Sequence, residues 1–167
     1  MFNLTTDLKH FIEDNIDLIE SNTWDDVYNN AVLDLDSDSL GELTATLLEL
    51  NIDPLVQGNM DYIPQYYLSG QNITSFVIPD TIHALFEGCF SYSRLQKIII
   101  PPSVTELHDY VFYDCYNLDE VIVLGDIVSV GAMVFYGCSP HLIIKCKQGS
   151  RIDNYAKAAN IKTEYIK

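Results

Sequence analysis

The sequence predicts an α+β molecule: a small N-terminal cap of three helices, a short solenoid with a parallel sheet, and a closing helix and strand. Two observations predict it. An apolar skeleton recurs three times, at intervals of 22 and then 23 residues. Ile73, Phe76, Ile78, Ile82, Leu85 and Phe90 are followed by Leu95, Ile98, Ile100, Val104, Leu107 and Phe112, then by Leu118, Val121, Val123, Ile127, Val130 and Phe135. A unit of this length cannot bury its apolar face alone, so copies stack over one shared core. Residues 1–58 instead carry apolar residues three and four apart, the spacing of helices. The expected organisation is an acidic helical cap over 1–58 and a solenoid with its C-terminal cap over 59–167.

Leu8, Phe11, Ile12, Ile16 and Ile19 place one stripe on a first helix that starts near Thr5 or Thr6. A second helix is expected from Thr23, with Asp26 three residues on and Trp24, Val27, Tyr28, Ala31 and Leu35 as its apolar face. A third is expected from Ser39, whose spacing to Glu42 matches a capping box, burying Leu40, Leu43, Leu47 and Leu48 and ending at Asn51. Such a bundle would cover the open end of the solenoid, where an uncapped repeat exposes core and strand edge. An incomplete copy of the repeat precedes the three full ones, with Ile63 and Leu68 in the positions of Leu85 and Phe90. Parallel strands are expected at 74–78, 96–100, 119–123 and 142–146, with Phe90, Phe112 and Phe135 stacked inside. Pro79 and Pro101 follow the first two strands, and Leu124 takes that position in the third copy. A helix over 150–159 opens on Ser150 as N-cap, and Lys162–Ile166 alternates like a sealing strand.

The segments ITSFVIPDTIHALFEGCFSYSRL, LQKIIIPPSVTELHDYVFYDCYNL and LDEVIVLGDIVSVGAMVFYGC resemble the BspA-like leucine-rich repeat. The first departs from the pattern: Ser93 stands where Cys115 and Cys138 fall, and its turn is one residue shorter. The closing LIIKCKQGSRIDNYAKAANIKTEYI is similar to the terminal unit of many such proteins. The resemblance covers roughly 59–167. It implies a binding surface rather than a catalytic pocket. Adhesins that carry this repeat also carry export and anchoring sequences, which are not seen here. The pairing of a short acidic head with a few repeats looks more like small phage or mobile-element proteins, which implies a role against a host protein, including a host defence system.

The 24 acidic and 9 basic side chains give a formal charge of −15. Residues 1–60 hold 13 acids and one base, residues 61–141 hold 9 and 2, and residues 142–167 hold 2 and 6. That field disfavours direct contact with nucleic-acid phosphates and favours a protein partner with a basic surface. Neither a run long enough to cross a membrane nor a basic-then-apolar leader occurs, so a cytoplasmic protein is expected, in the host cytoplasm if phage-encoded. The sequons at Asn3 and Asn72 are then chance matches.

No pair of cysteines or histidines shows metal-ligand spacing, so no metal, cofactor or catalytic residue is expected and the chain reads as a non-enzyme. Cys115 and Cys138 share one repeat position and read as buried thiols. Asp34-Leu35-Asp36-Ser37-Asp38 opens like a calcium loop but lacks the Gly and the terminal Glu. Tyr62, Tyr66, Tyr67, Tyr92, Tyr110, Tyr113, Tyr116 and Tyr136 fall in or beside the repeat turns, as wall packing or as a contact surface.

Two binding surfaces follow. In L-x-L the middle residue turns outward, which lines up Val77, Ile99 and Ile122, beside a second outward row of Ser75, Lys97 and Glu120 in which Lys97 and Glu120 can pair. The alternative is the acidic head, with Glu13, Asp14, Asp17, Glu20, Asp25 and Asp26 imitating a polyanion to occupy a DNA- or RNA-binding protein. An adhesin-type repeat protein is the further alternative.

Overall fold

A computed structural model describes residues 6–57 and 59–167. The sequon at Asn3 and a helix start at Thr5 lie outside the described residues. The chain runs α1 (Thr6–Asp14), α2 (Ile16–Glu20), α3 (Trp24–Asp34), α4 (Ser37–Glu49), α5 (Pro54–Gln57), β1 (Tyr62–Ile63), β2 (Ala84–Leu85), β3 (Lys97–Ile100), β4 (Glu106–Leu107), β5 (Glu120–Val123), β6 (Ser129–Val130), β7 (Ile143–Cys146), α6 (Arg151–Ala158) and β8 (Lys162–Tyr165).

The helical segment differs from the sequence expectation in detail at Asn15, Thr23 and Asp36, and at each of these positions a polar side chain makes a local hydrogen bond. The first helix breaks in two at Asn15, whose Nδ2 donates to Phe11 O at 2.9 Å while Asn30 Nδ2 donates to its Oδ1 at 2.7 Å. Asn is prone to such local bonds. The break turns Ile16 out of the stripe, leaving it 42% exposed. Thr23 stands before α3 but makes no side-chain cap; its hydroxyl shares a 2.9 Å bond with Ser21 instead. Helix α4 starts earlier than Ser39 because Asp36 Oδ1 accepts the Ser39 N–H at 2.9 Å, displacing the Ser39–Glu42 box. Its end is as expected: Asn51 has φ 61°, with Asn51 N–H to Leu48 O at 3.0 Å and Ile52 N–H to Leu47 O at 2.9 Å, the paired bonds of a Schellman ending.

The repeats stack as coils carrying two parallel sheets. One runs β1-β2-β4-β6 and the other β3-β5-β7-β8. The register keeps repeat positions aligned, Ile63↔Leu85↔Leu107↔Val130 in the first and Lys97↔Glu120↔Ile143↔Lys162 in the second. The strand expected at 74–78 does not form. One backbone bond ties that segment to β3, Gln96 N–H to Thr74 O at 3.1 Å. The coil after it has the equivalent bond, Asp119 N–H to Gln96 O at 2.9 Å, and a second one at the far end, Leu124 N–H to Ile100 O at 3.0 Å. One coil earlier the position of Leu124 belongs to Pro101, which has no N–H to give to Ile78. The ladder is therefore pinned at one end only.

The core is continuous from Leu8 in α1 to Ala156 in α6. An aromatic column runs through it: Tyr28 to Tyr67 at 5.6 Å between ring centroids, Tyr67 to Phe76 at 6.4 Å, Phe76 to Phe90 at 5.1 Å, Phe90 to Phe112 at 5.6 Å, Phe112 to Phe135 at 5.4 Å and Phe135 to Tyr155 at 6.1 Å. The column joins the helical segment at one end to α6 at the other. Ser150 Oγ accepts the Asp153 N–H at 3.3 Å as N-cap of α6, and β8 pairs with β7 as expected. The Tyr155 hydroxyl accepts the Val134 N–H at 2.9 Å, standing in for the carbonyl that a further coil would supply.

Candidate interaction surface

The outward face of the second sheet is set by strand alternation: in β3, Ile98 and Ile100 are buried while Lys97 and Ile99 are exposed. Val77 is 86% exposed and Ile99 46%, and Ile122 is half-buried. Ile99 pairs in register with Ile122 and Ile122 with Lys145, so the apolar row ends at a cation. Between the loose 74–78 segment and β3 lies a groove of about 550 Å³, bordered by Val77, Ile99, Pro102 and Leu124. Ser75, on its border, is exposed.

The neighbouring row carries charge. Lys97 Nζ and Lys145 Nζ each approach a different oxygen of Glu120, both at 2.5 Å, and Lys145 also lies 3.8 Å from Glu164. Lys145 and Lys97, by donating to it, hold the Glu120 carboxyl below the usual carboxylate range, and Glu120 in turn raises the Lys145 ammonium. The pairing of Lys97 with Glu120 expected from the alignment is present, and Lys145 extends it. The signal for Lys145 was in the sequence, in the same repeat position as Ile122, one coil on.

The alternative acidic residues do not share one helix. Glu13 and Asp14 close α1, Asp17 and Glu20 lie in α2 beyond the Asn15 break, and Asp25 and Asp26 occupy the first turn of α3. All six are exposed. Asp25 is tied to the repeats, accepting the Tyr62 hydroxyl at 2.8 Å.

The four thiols are unpaired. Cys115 Sγ donates to Phe90 O at 3.0 Å and Cys138 Sγ to Phe112 O at 3.1 Å, so the shared repeat position is a hydrogen-bonding one, with Ser93 3.4 Å from Cys115. Burial raises both thiols, Cys115 to about 11. Among the described residues no three His, Cys, Asp or Glu side chains converge on a point that could hold a metal ion. No described helix is long and apolar enough to cross a membrane.

A family model described as a BspA type leucine-rich repeat region matches residues 54–164 in six copies. Its first copy begins in α5, in the coil that the 22-residue register places before 74–78. No curated protein and no solved structure matches the chain.

Proposed function

Because the chain belongs to the BspA-type leucine-rich repeat family, we propose that it is a non-catalytic protein-interaction module whose contact is the outward face of the second sheet. The observation that carries this reading is the apolar row of Val77, Ile99 and Ile122, left open to solvent beside a groove and rimmed by Ser75 and the Lys97–Glu120–Lys145 triad. An interface draws its energy from a central apolar cluster with near-neutral contacts around it, and this face has that layout. The partner is a protein with a basic surface, matching the charge of −15. The finer reading, a cytoplasmic phage or mobile-element protein that binds a host protein, rests on the resemblance of a short acidic head joined to a few repeats.

Changing Val77, Ile99 and Ile122 together to Ser tests it. The expected result is loss of a partner captured from the native host at high salt, with an unchanged circular dichroism spectrum. The second reading, polyanion mimicry by the head, is favoured by the 13 acids against one base in residues 1–60. On that reading the triple change is silent, and replacing Glu13, Asp14, Asp17 and Glu20 with Gln and Asn weakens binding and flattens its salt dependence.

A further inference from the structure

The turns between the two sheets contain two positions per coil at which the backbone is left-handed. Tyr66 (φ 54°), Gly88 (φ 57°), Tyr110 (φ 59°) and Met133 (φ 52°) occupy the first, spaced 22, 22 and 23 residues apart. Gly70 (φ 70°), Tyr92 (φ 57°), Asp114 (φ 53°) and Gly137 (φ 72°) occupy the second with the same spacing. The stacking enforces this geometry, because the N–H of the left-handed residue bonds to the next coil: Tyr66 to Glu87 O at 3.0 Å, Tyr92 to Tyr113 O at 2.8 Å and Tyr110 to Ala132 O at 3.0 Å. Glycine adopts such a φ freely, whereas a large side chain is strained there. The chain uses glycine at Gly70, Gly88 and Gly137, yet places tyrosine in the same positions three times.

Local packing accounts for little of that choice. Tyr66 lies over Gly88, where an added Cβ would stand 2.6 Å from the ring, and is the one of the three that is substantially covered. Tyr92 is 51% exposed and Tyr110 also faces solvent. Their rings join a surface cluster through Tyr113, with centroids at 5.6 Å to each, and Tyr113 stacks on Tyr136 at 5.4 Å. Tyr136 is itself 60% exposed. Strain retained at exposed aromatic side chains points to a task outside the fold.

We propose that this tyrosine wall is a second docking surface and that it takes arginine side chains of a protein partner. The turns that carry it hold the carboxylates of Glu87, Asp109 and Asp114 against the single cation of Arg94. A guanidinium stacks flat on a tyrosine face while its edge forks to a carboxylate, which an ammonium cannot do. The inference rests on reading the chain as an interaction module, but it uses a different wall from the Val77–Ile99–Ile122 row.

The test compares two synthetic peptides of equal length and charge, alternating arginine–glycine and lysine–glycine, titrated calorimetrically against the full chain at physiological salt. The wild type is expected to prefer the arginine peptide by about fivefold or more. Tyr92→Gly with Tyr110→Gly should abolish the preference while leaving the melting temperature unchanged or higher. Changing Val77, Ile99 and Ile122 to Ser should leave the preference intact, so failure here is separable from failure of the sheet-face reading. Equal affinity of the wild type for the two peptides overturns the proposal, as does a preference that survives in the double glycine variant. A lower melting temperature in that variant also overturns it, by assigning the rings to wall packing.

Discussion

Phe112 sits at the centre of the aromatic column, fully buried, with rings 5.6 Å away on one side and 5.4 Å on the other. Phe112→Ala leaves a ring-sized void between two coils that cannot close without slipping the register, so a loss of about 3–5 kcal/mol is expected in urea unfolding. A loss below about 1 kcal/mol would place the ring outside the core. The thiols make a second residue-scale prediction. Burial is the largest cause that pushes Cys89, Cys115, Cys138 and Cys146 upward, so at pH 8 they remain protonated and poorly nucleophilic. An aromatic disulfide reagent should find no rapidly reacting thiol in the native protein and titrate all 4 after denaturation. Fast reaction of one thiol in the native protein would show that its coil opens.

At the scale of elements, helix α4 meets the first coil at a glycine. A Cβ on Gly41 would stand 2.0 Å from Ser69 O, a backbone atom that cannot swing away. In an isolated helix Gly→Ala adds about 1 kcal/mol of stability. Here the sign reverses: Gly41→Ala should lower the melting temperature by prising α4 off the repeats, and a rise would mean that the contact is not close. Leu124 offers the converse case. Its side chain is exposed and its N–H bonds to Ile100 O, in the position where the preceding coils carry Pro79 and Pro101. Leu124→Pro should cost about 0.5–1.5 kcal/mol, the net worth of one hydrogen bond. Hydrogen exchange should then show the end of β5 loosening from β3 as 74–78 is loose already.

On the scale of the whole molecule, charge is arranged to repel along most of the chain and to attract across the second sheet. The Glu120 carboxyl is lowered in the folded state, so its contribution to stability is complete above the ordinary carboxylate range and is lost as pH falls through the lowered value. Glu120→Gln should therefore melt below the wild type at neutral pH, and the two melting curves should converge on acidification. A difference that persists at low pH would mean that the carboxylate acts through packing rather than charge. The sheet face and the tyrosine wall lie on different sides of one continuous core, so a variant of either should leave the other folded and competent.

The repeat period determined the solenoid and the inward or outward sense of Val77, Ile99 and Ile122, because stacked coils must align equivalent residues whatever lies around them, while the end elements were legible from local helical spacing, the Ser150 cap and strand alternation. The Lys97–Glu120 pair and the Phe90–Phe112–Phe135 column were legible for the same reason. Contacts that cross the period were not. The break at Asn15 depends on Asn30 arriving from α3, the glycine at 41 is read only against Ser69, and the missing strand at 74–78 follows from a proline one coil away. The tyrosines were visible as a count and as turn residues, but not as strained ones, since a left-handed φ is imposed by the bond from each turn to the next coil. A backbone dihedral in this fold is a property of two neighbouring coils, and only the tertiary structure brings those coils together.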